Sequence, residues 1–289
     1  MSLPESESPS ARAPDLAIAV RRIQNGDVAL TVDMAGPLDG APVLLLHGGG
    51  QTRGAWGGAL LEGAKRGFRM LSADLRGHGE SDWSADADYA LSTHVSDIAA
   101  IVATLPRPPF LVGASMGGSI SLTYAGEGRP LAGLVMVDVA PTVNPAGTDR
   151  ILDFMQGSPH GFASVDEAAD AVAAYLPHRP RPKDTSGLLR NLRLRDGRYH
   201  WHWDPRMFAA GRPRRDPEIG RASARRVRVP TLLVRGRMSD VLSQEGVDDF
   251  LQLVPHAEFA DIAGADHMVA GDRNDAFNDA IFSFLERHR

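Results

Sequence analysis

Apolar residues along this chain fall into two patterns, short unbroken runs and longer stretches spaced by three and four. The unbroken runs Pro42–Leu46, Pro109–Val112, Leu131–Val139 and Pro230–Gly236 predict strands covered on both faces, joined by Arg69–Ala73 and Glu258–Ile262. Leu16–Val20 and Val28–Met34 alternate apolar and polar around Asn25-Gly26-Asp27, which predicts an antiparallel hairpin at one sheet edge. Helical spacing marks Gly58–Lys65, Ser92–Leu105 (Val95, Ile98, Ala99, Val102, Leu105), a stretch from Ile120 to about Gly126, Ser243–Leu253 and Asp275–Arg287. Strand and helix alternate except across one gap of about ninety residues. The expected architecture is therefore an α/β fold, a mostly parallel eight-stranded sheet with helices on both faces and an inserted helical cap. The division expected is a disordered tail over 1–14, a core over 15–141 and 229–289, and the cap over 142–228. Inside the cap, Ser164-Val165-Asp166-Glu167 forms a capping box for a helix that stops at Pro177.

Composition narrows the function without fixing it. The 289 residues carry a net charge of -5, which gives no reason to expect a nucleic-acid partner. The chain has no cysteine, so disulfides, thiolate metal sites and cysteine nucleophiles drop out together. No apolar run reaches the ~18 residues of a membrane span, and the Ser-, Pro- and Glu-rich start is unlike a signal peptide. A cytoplasmic protein with a small-molecule partner is expected. Charge is uneven, however: residues 178–228 hold 15 Lys and Arg against 5 Asp and Glu, leaving the remainder at -15. Such a basic cap either rests on an acidic body or sends an arginine, Arg190 or Arg193, to an acidic group of a substrate.

The chemistry centres on Gly113-Ala114-Ser115-Met116-Gly117, a Gly-x-Ser-x-Gly sequence between a predicted strand and a predicted helix. Glycines there permit a turn sharp enough to hold a serine hydroxyl clear of the backbone, a nucleophile elbow. Serine is a weak nucleophile at neutral pH and requires a base, which a third group must orient. Of ten histidines, His267 follows the last predicted strand, at the sheet edge where the elbow opens. Asp240 follows the preceding strand on that edge, and the order Ser115, Asp240, His267 is one known solution to the geometry. His47 and His78 sit in glycine turns and are expected to brace loops. A metal reading of His200-Trp201-His202 lacks further ligands nearby, and neither metal nor cofactor is expected.

With these pieces in place the sequence resembles the α/β-hydrolase superfamily from about Leu16 to Arg287. The matching motifs are His47-Gly48-Gly49-Gly50 after the third strand, Asp74-Leu75-Arg76-Gly77-His78-Gly79-Glu80-Ser81 after the fourth, the elbow, Asp240 and His267. The resemblance implies Ser115 as nucleophile, His267 as general acid-base and Asp240 as orienting acid. It also implies an oxyanion hole from the backbone N–H groups of Met116 and Gly49. Asp138, at the end of the sixth strand, competes for the acid, because some relatives take it from there. Serine at the elbow points away from the epoxide hydrolase and haloalkane dehalogenase branches, which need aspartate. What remains is a serine esterase acting on small carboxylic esters or related acyl groups. The alternatives are a hydrolase of carbon–carbon bonds in vinylogous diketone acids and a non-catalytic small-molecule receptor. Trp201 and Trp203, with Tyr199, Met207 and Phe208, are the expected pocket lining, joined by Arg190 and Arg193.

Overall fold

The computed structural model describes residues 17–177, 181, 183–209, 216–265, 267 and 274–289. Its runs of continuous apolar sequence lie where both faces of a sheet are covered. Strands β1 (Ala19–Asn25), β2 (Val28–Ala35), β3 (Pro42–Leu46), β4 (Arg69–Ala73), β5 (Phe110–Ala114), β6 (Gly133–Val137), β9 (Thr231–Gly236) and β10 (Glu258–Ile262) form one sheet in the order β1-β2-β4-β3-β5-β6-β9-β10. Pairing is antiparallel at β1–β2 and β2–β4 and parallel from β4 to β10. Successive side chains point to opposite faces. Leu44, Leu46, Leu111, Leu134, Met136 and Leu233 therefore enter one core, and Val43, Leu45, Val112, Val135, Val137 and Val234 the other.

Helices α2 (Leu91–Val102), α3 (Met116–Gly126) and α7 (Gln244–Leu253) cover the first core; α1 (Gly57–Lys65) and α8 (Asn274–His288) cover the second. Each large aliphatic side chain removed from water in this way contributes roughly 1.5–3 kcal/mol. Among the described residues no helix is long and apolar enough to cross a membrane. The sequence-predicted elements all occur, with ends shifted by a few residues; Leu16 and the whole predicted tail, 1–14, lie outside the described residues. Because β4 and β5 flank β3 on opposite sides, the chain reverses direction across the sheet there. The C-terminal ends of β3 and β5 then border a crevice, the place where α/β sheets bind ligands.

Between β6 and β9 the chain makes α4 (Pro145–Gln156), α5 (Val165–Tyr175), the hairpin β7 (Leu192–Arg195) and β8 (Arg198–Trp201), and α6 (Pro217–Ala224). Ser164 caps α5 as its sequence predicts, accepting from the Glu167 N–H. The segment is not wholly helical, and here the expectation needs correcting. Asp196 and Gly197 both take positive φ, 49° and 73°, the conformation of a tight hairpin turn that Asp-Gly favours. The signal was present but hidden among arginines. An apolar knot of Met155, Phe162, Ala168, Leu192, Trp201 and Trp203 holds the segment together. Arginines fasten it to the body. Arg193 donates to the Gly79 carbonyl at 2.8 Å, Arg206 to the carbonyls of Ser84 and Ala85, Arg221 pairs with Asp249, and Arg195 covers the Trp83 ring.

Candidate active site

The strand-to-helix turn after β5 is built as the glycine pattern requires. Ser115 sits at φ 46° and ψ -109°, a conformation that costs a non-glycine residue of order 1–3 kcal/mol. The surroundings hold it there: its N–H donates to the Val137 carbonyl at 3.0 Å, and the Gly117 N–H donates to the His47 carbonyl at 3.2 Å. A β-carbon on Gly117 would stand 2.4 Å from the Leu46 carbonyl oxygen, and one on Gly113 would stand 2.4 Å from that of Gly117. Only glycine lets strand, turn and neighbouring loop close this tightly. The serine side chain is thereby set at the N-terminus of α3, where the helix dipole and the free first-turn N–H groups favour negative charge.

The structure joins His267 to Asp138 rather than to Asp240. The His267 Nδ1 lies 2.6 Å from Asp138 Oδ2. Asp138, fully buried, also accepts from the Gly236 N–H at 3.1 Å and from the Ser239 hydroxyl at 2.5 Å. Two neutral donors besides the imidazole fix the carboxylate's position, so the ring is held from Nδ1 and its Nε2 is left for the cavity side. Asp240 instead turns outward and pairs with Arg150 at 3.0 Å, both side chains more than a third exposed. The physical reason is local. The turn after β9 closes from the Ser239 N–H onto the Gly236 carbonyl, and Ser239, which faces inward, hands its hydroxyl to Asp138. Its neighbour Asp240 is directed away.

Two cavities meet at Ser115. One, of about 440 Å³, is lined by Ser115, His267, the Gly48–Gly50 turn, Trp201, Trp203, Arg190 and Asn191. The other, of about 680 Å³, is lined mainly by apolar side chains from α3, α4 and α6 with Met207 and Phe208, and touches Ser115, Gly49 and Met116 but not His267. Trp201 and Trp203 stack with ring centres 5.1 Å apart and form a flat aromatic wall. Arg190 reaches the smaller cavity. Arg193 and Tyr199 do not: the first is spent on the Gly79 carbonyl, and the second pairs its backbone with Phe162.

Of the three consecutive glycines, the structure distinguishes Gly49. The Gly48 N–H donates to Gln51 Oε1 at 3.0 Å and the Gly50 N–H to His78 Nε2 at 3.2 Å. The Gly49 N–H has no such partner among the described residues, and the residue borders both cavities. Three histidines shape this turn. His47 donates from Nδ1 to the Gly48 carbonyl and accepts the Leu75 N–H at Nε2; His78 donates from Nδ1 to the Arg76 carbonyl. His202, whose ring nitrogens carry no sequence signal of this role, accepts the Gly79 N–H at Nδ1 (2.7 Å) and faces the Gly50 carbonyl from Nε2 (3.3 Å). Gly50 is thus held at its N–H by the body and at its C=O by the inserted segment. Both His202 nitrogens are engaged with the backbone.

Each of these hydrogen-bond sets fits a neutral imidazole, and burial enforces it. It lowers His47 to about 4, His78 and the neighbouring His94 to about 3, and His202 to about 2, with the nearby imidazoles adding to the effect on His78 and His202. An unfolded histidine titrates near 6.5. The unfolded chain therefore takes up protons first. Stability from these groups is complete above about pH 6.5 and is lost as pH falls through the window that ends at about 4 for His47, about 3 for His78 and His94 and about 2 for His202. Urea unfolding measured stepwise between pH 7 and 4 should show stability falling by up to about 1.4 kcal/mol per pH unit for each of the four histidines. A stability flat across that range would refute the neutral assignments.

Comparison with known proteins places the fold. The family model described as Alpha/beta hydrolase family matches residues 43–280. The AB hydrolase superfamily protein YisY of Bacillus subtilis is 27% identical over 85% of this chain and 91% of its own length. Esterase Rv0045c of Mycobacterium tuberculosis is 32% identical over 56% of each chain, so this chain spans little more than half of that relative. A 3-hydroxybutyrate-oligomer hydrolase of Cupriavidus necator is 28% identical over 69% of this chain and 73% of its own. Among solved structures, E-2-(acetamidomethylene)succinate hydrolase superposes with a TM-score of 0.82 at 23% identity, covering 93% of this chain and all of that one, a likeness of fold.

Proposed function

We propose that this chain, which belongs to the alpha/beta hydrolase family, is a serine hydrolase of carboxylic esters working through an acyl-enzyme. The observation that carries the proposal is a strained serine sharing a cavity with a histidine that a buried carboxylate holds by its far nitrogen. Ser115 Oγ attacks the ester carbonyl carbon while His267 Nε2 takes its proton, and Asp138 stabilises the imidazolium so formed. The carbonyl oxygen becomes an oxyanion, met by the N–H groups of Gly49 and Met116, which need no reorganisation; each such donor is worth about 3–4 kcal/mol of barrier. The tetrahedral intermediate collapses, the C–O bond to the alcohol breaks, and His267 returns the proton to the leaving oxygen. Water, deprotonated by the same imidazole, then frees the acid and regenerates Ser115.

We read residues 142–228 as a cap that bounds the substrate, with Trp201 and Trp203 as its aromatic wall. One observation keeps carbon–carbon hydrolysis as a second reading. Arg190 borders the cavity that His267 lines, and among the described residues it has no ion-pair partner, so it is free to take a substrate carboxylate. Reaction with a fluorophosphonate probe and hydrolysis of p-nitrophenyl acyl esters should both occur. Both should be lost, by about 10⁴-fold or more for turnover, in Ser115→Ala. Ester turnover that survives this substitution would overturn the proposal, and turnover of a dienoate diketone acid in place of esters would favour the second reading.

A further inference from the structure

The two cavities that meet at Ser115 have different relations to His267. In the serine hydrolase reading, on which this inference rests, His267 gives its proton to the leaving alcohol. The alcohol therefore occupies the cavity that His267 lines, and the acyl group occupies the other, larger one.

That acyl cavity is apolar over most of its surface, and its polar side chains are almost all engaged. The Tyr89 hydroxyl donates to Asp204; the Arg206 guanidinium is taken up by Asp204 and the carbonyls of Ser84 and Ala85. Asp88 accepts from Thr93 and the Ala90 N–H, and Thr123 donates to the Ser119 carbonyl. His94, on α2, is different. It borders the cavity, is 2% exposed, and among the described residues neither ring nitrogen has a hydrogen-bond partner. Buried polar atoms in native proteins are rarely left so, and those that are call for a reason. A protein that needed only to fill this space would do better with leucine.

We propose that His94 is a specificity-determining residue of the acyl cavity and recognises a hydroxyl group carried on the acyl chain, making hydroxy-acid esters the preferred substrate class. A neutral imidazole offers one N–H and one lone pair, and a hydroxyl can satisfy whichever of the two faces it. Rotation about the ring's Cβ–Cγ bond, a soft torsion, would present either nitrogen to the cavity. Burial keeps the ring neutral, which disfavours a charged group as the ligand. A site built to hydrogen-bond a substrate hydroxyl discriminates against the analogue lacking it far more strongly than an apolar pocket does against an extra methylene.

The test uses methyl esters of a linear medium-chain acid and of its hydroxy derivatives, with the hydroxyl placed successively along the chain. In the unaltered protein kcat/KM for at least one hydroxy ester should exceed that of the plain ester by about tenfold or more. In His94→Leu that ratio should fall to near one, with Tm unchanged or raised because two sealed polar atoms are gone; His94→Gln, which keeps a donor and an acceptor, should retain part of the preference. The same ratio should appear in calorimetric affinities for the free hydroxy and plain acids, a measurement that needs no turnover and so separates this inference from the hydrolase reading. A preference that persists in His94→Leu, or the absence of any preference in both turnover and affinity, would overturn the proposal.

Discussion

Asp138→Asn lowers kcat by about 10³–10⁴-fold on a p-nitrophenyl ester, while Asp240→Asn leaves it within about twofold; this is the expected result of changing the two carboxylates in turn. An asparagine fits the space of Asp138 and tolerates its positive φ of 51°. It still accepts one hydrogen bond, but its NH₂ group cannot serve as a carboxylate toward His267. The Gly236 N–H donates to Oδ1, whereas the Ser239 hydroxyl and His267 both meet Oδ2; with the single amide oxygen kept by the Gly236 N–H, which can only donate, the NH₂ group faces His267. The imidazole then loses the partner that fixes its tautomer and that stabilises it when protonated. Asp240, by contrast, gives up only a half-exposed pair with Arg150, worth at most about 1 kcal/mol. Steady-state kinetics and the rate of fluorophosphonate labelling should agree. The converse outcome, with Asp240→Asn inactive and Asp138→Asn near normal, would mean that the contact between His267 and Asp138 is not the one used in turnover.

The two aspartates also show where sequence reading stops. Chain order favours neither, because Ser115, Asp138, His267 and Ser115, Asp240, His267 run in the same sense. What separates them is sheet order. β6 lies beside β5, so the residue that ends β6 emerges next to the elbow, whereas β9 is one strand further away. No local pattern carries that adjacency. The elbow is legible because its glycines are needed for contacts within a few residues and with the preceding loop, and the central strands because burial on both faces leaves an apolar letter at every position. His202 and His94 are illegible for the opposite reason. Their roles depend on which distant backbone groups, or which absence of any, the folded chain brings to their nitrogens. The charge imbalance predicts a basic segment that rests on an acidic body or reaches a substrate, and the Arg221–Asp249 pair is of the first kind. Other arginines fasten the segment through backbone carbonyls, and these belong to residues such as Gly79 and Ser84 that look like plain turn positions in the sequence.

Replacing His202 should expose how far the inserted segment sets the oxyanion geometry. In His202→Leu the buried Gly79 N–H loses its acceptor, which costs about 1–3 kcal/mol, and the Gly50 carbonyl loses the donor that holds its peptide from above. The Gly49 N–H lies two peptide planes before that carbonyl in the same turn, and a donor tilted by even a fraction of an ångström stabilises the transition state less well. We expect kcat to fall by about 10–100-fold, with KM changed much less, since the oxyanion exists only in the transition state. His202→Asn separates positioning from simple stability. Its side-chain oxygen stands near the place of Nδ1 and can accept the Gly79 N–H, restoring Tm, but it is too short to reach the Gly50 carbonyl, so kcat should stay low. Affinity for a trifluoromethyl ketone, which forms the tetrahedral adduct on Ser115, should fall in step with kcat, and affinity for the product acid should not. If His202→Asn recovers both Tm and kcat, the Gly50 carbonyl contact is dispensable and His78 alone holds the turn.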